Sequence, residues 1–269
     1  MANILKKLMV RFMAKYQSYW FARRQEKFAE NLSFTQAVAR IPARNALYSY
    51  MHHYQHQLSP DKLQQHRAYF KQDSRGFGED AFHAMWFLLM REYHPLNCLE
   101  IGVYRGQVIS LWAMIAKELN IPCNIHGISP FTPAGDQVSV YLKNIDYQND
   151  TLMHHHHFGL KEPLLLKAFS NDPVAQDYIG AQQWNLIYID GSHDYEVALA
   201  DYTICRDHLA DGGLLVIDDS SLYTDFQPPL FSFAGHPGPS NIVQELAMKE
   251  LVFLGGVGHN NVFMKESRE

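Results

Sequence analysis

Two short apolar runs that each stop at aspartate constrain this chain more than anything else in it. Trp184 to Asp190 reads WNLIYID and Leu214 to Asp219 reads LLVIDD, with an acidic turn, a helical stretch and the Gly212-Gly213 turn between them. Near-continuous apolar strands are covered on both faces, so the pair reads as a βαβ crossover in a parallel sheet. A crossover brings both strand ends to one rim, where open α/β sheets bind ligands. Neighbouring strands lie about 5 Å apart. Asp190, Asp218, Asp219 and His193 are therefore expected at one point, a set able to hold a hard cation and a substrate.

The 269 residues suffice for one α/β domain with an extension. A net charge of -5 gives no case for a nucleic-acid partner. Cys98, Cys123 and Cys205 are scattered and odd in number, with no disulfide framework or zinc spacing, which favours a reducing compartment, the cytoplasm. No run approaches the roughly 20 apolar residues of a membrane span. The first residues lack an uninterrupted apolar core with a small-residue cleavage site, so no secretory signal is expected.

Residues 1–78 read as helices and turns; residues 79–269 alternate helix and strand, with Ser74 to Gly78 as the boundary. In the first helix Ile4, Leu5, Leu8, Met9, Phe12, Met13, Tyr16 and Trp20 recur at helical spacing, with Lys6, Lys7, Arg11 and Arg24 opposite and no acid before Glu26. Such a helix suits an anionic membrane surface, although packing on its own domain or on a second copy is the commoner fate. The extension is expected to act as a lid, dimer surface or membrane-surface element. Beyond it, strands are expected over 97–102, 124–129 and 164–169, then the two of the crossover. A closing hairpin over 251–254 and 261–264 should turn from Gly255-Gly256 to His259. Helices are expected over 79–94, 108–119, 138–147, 173–180 and 241–250, with Gly159 as a C-cap.

After the first of these strands comes Glu100-Ile101-Gly102-Val103-Tyr104-Arg105-Gly106, then a helix. Its glycines permit a tight turn and close approach to a ligand, and the free amides at the helix start suit an anionic or polar group. Tyr104 replaces the second glycine of GxGxxG, so this is not the pyrophosphate fingerprint. Together with DGSHDYEVALAD and LADGGLLVIDD, and with the order of elements, this loop resembles the class I S-adenosylmethionine-dependent methyltransferases. More narrowly, it is similar to the metal-dependent macrocin/mycinamicin-type sugar O-methyltransferases and their cephalosporin-type relatives. The resemblance spans about 77–264 and is specific over 99–106 and 186–219.

The resemblance implies an α/β, Rossmann-like fold: a seven-stranded, mostly parallel sheet with an antiparallel last strand, here carrying an N-terminal helical extension. It implies S-adenosylmethionine along Glu100, Gly102 and Gly106, with Tyr104 and Ser129 beside it and Ser170 or Asp172 near the adenine edge. It assigns Mg²⁺ to Asp190, Asp218 and Asp219 and the general base to His193, so that Asp190 and His193 form the catalytic pair. One position departs from the family pattern: Ser129 stands where an acid usually grips the ribose hydroxyls, and serine holds them less firmly. The partner expected is a small-molecule acceptor, a sugar or glycan among the candidates, with peripheral membrane contact through residues 1–25 and a homo-oligomer both open. Two alternatives stand beside this: a metal-independent methyltransferase with His193 as base, and a non-catalytic protein acting at a membrane surface.

Other histidines have plainer readings. His154 to His157 sits at an expected helix end, and His52 and His56 have i, i+4 spacing with no further ligand to complete a zinc set. Phe231, Phe233 and His236 follow the fifth strand and are expected to shape the acceptor pocket. Asp201, inside the crossover helix, is expected to face solvent or a cation, and Tyr195 to pack.

Overall fold

In the computed structural model the described residues are 5, 8–13, 15–16, 30–133, 135–136, 141–230 and 232–267. Those between 5 and 16 are helical. Four helices follow: α1 (Phe34–Arg40), α2 (Arg44–Gln57), α3 (Asp61–Phe70) and α4 (Asp80–Tyr93). Then come β1 (Asn97–Ile101), α5 (Gln107–Leu119), β2 (Asn124–Ser129), α6 (Tyr147–His157), β3 (Leu164–Lys167), α7 (Pro173–Gly180), β4 (Trp184–Ile189), α8 (Tyr195–Asp207) and β5 (Leu209–Ile217). The chain closes with α9 (Pro237–Ile242), a π-turn over Val243–Ala247, α10 (Met248–Glu250), β6 (Val252–Val257) and β7 (Asn260–Met264).

The seven strands form one sheet in the order β3-β2-β1-β4-β5-β7-β6. All pairs are parallel except β5 with β7 and β6 with β7. This is the Rossmann-like sheet expected from the sequence, with its closing hairpin.

Strand pleating decides which side chains meet. Register aligns Glu100 with Tyr188 and Tyr188 with Val216. Cys98, Leu186, Tyr188, Leu214 and Val216 face one core, where Trp86 of α4 and Trp112 of α5 pack edge-on at 5.1 Å. Leu99, Ile101, Ile187, Ile189, Leu215 and Ile217 face the other, under α7, α8 and α9. Two residues beyond Tyr188 and Val216, Asp190 and Asp218 emerge on the same face as Glu100. The helical extension shares that core: Leu47, Tyr50, Met51 and Leu63 belong to the same cluster as Leu186 and Tyr188.

Several expectations needed correction. Of the helix expected over 138–147, residues 138–140 lie outside the described residues, 141–146 are turn and coil, and α6 starts at Tyr147 behind an Asp146 N-cap whose side chain accepts from Asn149 N. An Asx cap stops a helix from extending backwards, and it outweighed the apolar pattern upstream. The last helix starts earlier than expected, at Pro237, consistent with proline at a first helical turn. Gly255 and Gly256 lie inside β6, and the hairpin turns at Gly258-His259. The two glycines serve close packing: a Cβ at Gly256 would overlap the Arg44 guanidinium, and one at Gly255 would crowd Val38. Gly159 does follow α6 in the left-handed region (φ 59°), with Leu160 N donating to His155 O, as a C-cap requires.

Where the extension packs on α4, His66 and His83 are buried neighbours, with 3.3 Å between ring nitrogens. Burial pushes His83 down to about 3 and His66 well below its ordinary value. An unfolded chain protonates these rings near pH 6.5 and the folded chain only far lower, so below pH 6.5 the unfolded state binds more protons and each ring costs stability as pH falls. A His83→Gln variant is expected to flatten the dependence of unfolding free energy on pH between 6 and 4 by about 1.4 kcal/mol per pH unit, measured by urea titration. An unchanged slope would show that this imidazole is solvated.

Candidate active site

The C-terminal rim of the sheet is knitted by backbone bonds that outrun the strands. Gly102 N donates to Ile128 O, Asp190 N to Ile101 O, and Asp218 N to Ile189 O. Gly102 (φ 97°) lies against the β4 turn so closely that a Cβ would overlap the Asp190 carbonyl. Gly106 (φ 76°) starts α5, and a Cβ there would meet Thr151 at 2.6 Å. The glycines of the loop are thus required by the fit of β1 against β4 and of α5 against α6.

Four acids converge there. Glu100 is 3% exposed, and burial, opposed by a bond from the Ile109 amide and assisted by Asp218, pushes it up to about 8. Burial raises Asp190 well above the carboxylate range, and Asp218, Asp219 and Glu100 raise it further. Asp218 is raised by burial and by Asp219.

Asp219 follows the opposite course. It adopts φ 50°, rare for a non-glycine residue. Its Oδ2 lies 2.8 Å from His193 Nε2 and its Oδ1 2.5 Å from His259 Nδ1. Burial alone would raise it, but bonds from the two imidazoles prevail and hold it well below the usual range. Nδ1 of His193 meets Asp136 Oδ2 at 2.6 Å, and the His193 amide donates to the same oxygen at 2.7 Å. Burial lowers His193, yet bonding to Asp219 and Asp136 raises it overall. His259 is raised further still, by Asp218, Asp219 and Glu79, against its burial. Glu79 Oε1 lies 3.5 Å from His259 Nε2, so the residue just before α4 contacts this network.

The loop after β5 closes over both acidic turns. His236 N donates to Asp219 O at 2.7 Å, and the His236 ring lies 4.2 Å from that of His193. Phe233 packs on His236 and His259; Phe231 lies outside the described residues. A small pocket opens between Asp190, His193, Asp218, Asp219 and Pro239.

The remaining expected residues lie along the same rim. Ser129 ends β2 and is buried. Tyr104 packs between Phe77 (4.9 Å) and Tyr147 (5.3 Å), and burial with Tyr147 pushes its hydroxyl up to about 12. Asp172 caps its own turn by accepting from Phe169 N, and Ser170 lies against Asp201. Asp201 itself is a correction: it is wholly buried beside Gly191 rather than solvated, and burial pushes it up to about 6. Tyr195 donates to Glu245 on the outer face. Three participants escaped the sequence reading: Asp136, His259 and Glu79.

Histidines elsewhere are structural. His154 meets the Tyr69 hydroxyl at 2.9 Å, and His155 is buried with Nδ1 3.0 Å from Thr151 O. His52 and His56 do converge on a third group, Asp80, at 3.6 and 2.8 Å. That carboxylate already pairs with Arg67 at 2.8 Å and Lys71 at 2.6 Å, whose charges oppose a metal.

Residues 99–220 match the family model of a methyltransferase domain. That stretch is under half of the chain, and over it the sequence is similar to methyltransferase domains. No curated protein matches it in sequence. Among solved structures it is similar to a Podospora anserina methyltransferase bound to S-adenosylhomocysteine, with 13% identity, a TM-score of 0.53, and 80% of this chain and 93% of that one covered. A Bacillus cereus O-methyltransferase, also with S-adenosylhomocysteine, gives 14%, 0.51, 79% and 95%. The Streptomyces achromogenes O-methyltransferase of tomaymycin synthesis, with S-adenosylmethionine, gives 13%, 0.50, 80% and 94%. At such identities these likenesses speak for the fold.

A Gly102→Ala change forces a side chain into the Asp190 carbonyl at positive φ. It is expected to abolish cofactor binding in calorimetry while lowering Tm by several degrees. Parental affinity would remove the β1 loop from the binding site.

Proposed function

We propose that this protein is an O-methyltransferase, cation-assisted, acting on a hydroxyl of a sugar or another polar small molecule, in the macrocin/mycinamicin-type branch. One observation carries the reading: the carboxylates of Asp190, Asp218 and Asp219 line one pocket at the rim together with His193. Carboxylates crowded until their pKa values rise are a donor set that a hard cation relieves, and oxygen donors suit Mg²⁺. Asp190 and Asp218 would hold the ion, which would supply acidification of an acceptor hydroxyl. S-adenosylmethionine, when bound, supplies an electrophilic methyl group for in-line displacement; Glu100, Gly102, Tyr104, Gly106, Ser129, Ser170 and Asp172 are its proposed contacts.

His193 is the proposed base. Asp136 binds Nδ1 and the backbone amide together, which fixes the ring and keeps a proton on Nδ1. Nε2 donates to Asp219 Oδ2 at 2.8 Å, so on this reading the ring serves as base in its neutral form, after an acceptor hydroxyl has displaced Asp219 from Nε2. The loop carrying His236 narrows the space above it.

A second reading has its own support. Both oxygens of Asp219 are engaged by imidazoles, which leaves the third acid less available to a metal. On that reading His193 works without an ion. Titration calorimetry with S-adenosylmethionine, with and without Mg²⁺, on the parent and on Asp190→Ala separates the cases. The proposal expects micromolar cofactor binding in the parent and an Mg²⁺ heat that vanishes in the variant. Absence of that heat in the parent favours the second reading, and absence of cofactor binding overturns both.

Once an acceptor is found, His193→Gln is expected to lower kcat by about 10²–10⁴-fold. Asp136→Asn should lower kcat by about tenfold or more with KM nearly unchanged, since it disturbs the tautomer and not the pocket. Equal loss in KM would assign Asp136 to substrate binding instead.

A further inference from the structure

We propose that the N-terminal helix lies on an anionic lipid surface and holds the methyltransferase domain there. Leu5, Leu8, Met9, Phe12 and Met13 are helical and leave between 47% and 70% of their surface exposed. At about 100° per residue they fall in one stripe covering less than half of the helix circumference. Arg11 and Lys15 are exposed on the same helix. Lys15 projects from the border of the stripe and Arg11 from the face behind it, so their long stems can carry the charges to phosphate level while the stripe enters the acyl boundary.

Charge selects the occupant. Six of the 23 cations and none of the 28 acids lie in residues 1–25, so this segment carries +6 and the remainder -11. A second copy of the helix would set cation against cation. An anionic bilayer attracts the segment and repels the acidic body, which leaves the helix as the contact face. No helix among the described residues is long and apolar enough to cross a membrane, so the contact is one of lying on the surface.

The test is flotation of the full-length protein with vesicles of phosphatidylcholine alone or mixed with phosphatidylglycerol. Binding is expected only to the mixed vesicles, and it should weaken at high salt. An R11Q/K15Q variant should lose about fivefold in partitioning per cation removed. An L8E/F12E variant should lose binding altogether while still binding S-adenosylmethionine as the parent does, which verifies its fold. Equal binding to neutral vesicles, no binding to either, or unimpaired flotation of L8E/F12E overturns the proposal. So does a dimer, by light scattering, that becomes monomeric in L8E/F12E without any flotation, since it assigns the stripe to a second copy.

Discussion

The rim of this sheet is organised by the carboxylate of Asp219 held between two imidazoles. Parallel strands ending side by side bring acids together whether or not their charges agree, and burial with mutual repulsion raises the pKa of Glu100, Asp190 and Asp218. Asp219 stays ionised because His193 and His259 approach it from different parts of the chain. Each imidazole is in turn anchored by a further acid, Asp136 or Glu79. The alternation of acid and base lets five elements meet at one point without an unpaired buried charge, which would otherwise cost several kcal/mol.

Much of this was readable from residue order. Apolar runs stopping at aspartate gave β4 and β5, and pleat alternation then requires Asp190 and Asp218 to share a face with Glu100. His259 was within reach of the same logic. Once β7 is antiparallel to β5, with Ile217 opposite Asn261, the residue just before β7 has to lie beside Asp219. The glycines of β6 concealed this, because they were read as turn residues when their role is to admit Arg44 and Val38.

Asp136 and Asp201 were unreadable for different reasons. Asp136 sits in the long connection after β2, far from any periodic pattern, and only tertiary placement brings it 2.6 Å from His193. Asp201 lies at a position where helix periodicity alone allows either face; the short loops around α8 turn it inward beneath Gly191. Tertiary context decides such cases, since local pattern carries no information about which neighbour a face will meet.

Arg44 has a consequence for how the molecule is assembled during synthesis. Its guanidinium binds Ser221 Oγ at 2.8 Å and Asn261 Oδ1 at 2.6 Å, partners 177 and 217 residues later in sequence. The ribosome delivers α2 long before β7 exists, so the early helices wait with an uncompensated cation and an incomplete core. His259 arrives equally late. The acid rim therefore lacks its second imidazole until residue 259 has been made, and the acid-lined end of the sheet closes only after the strands and helices that precede it.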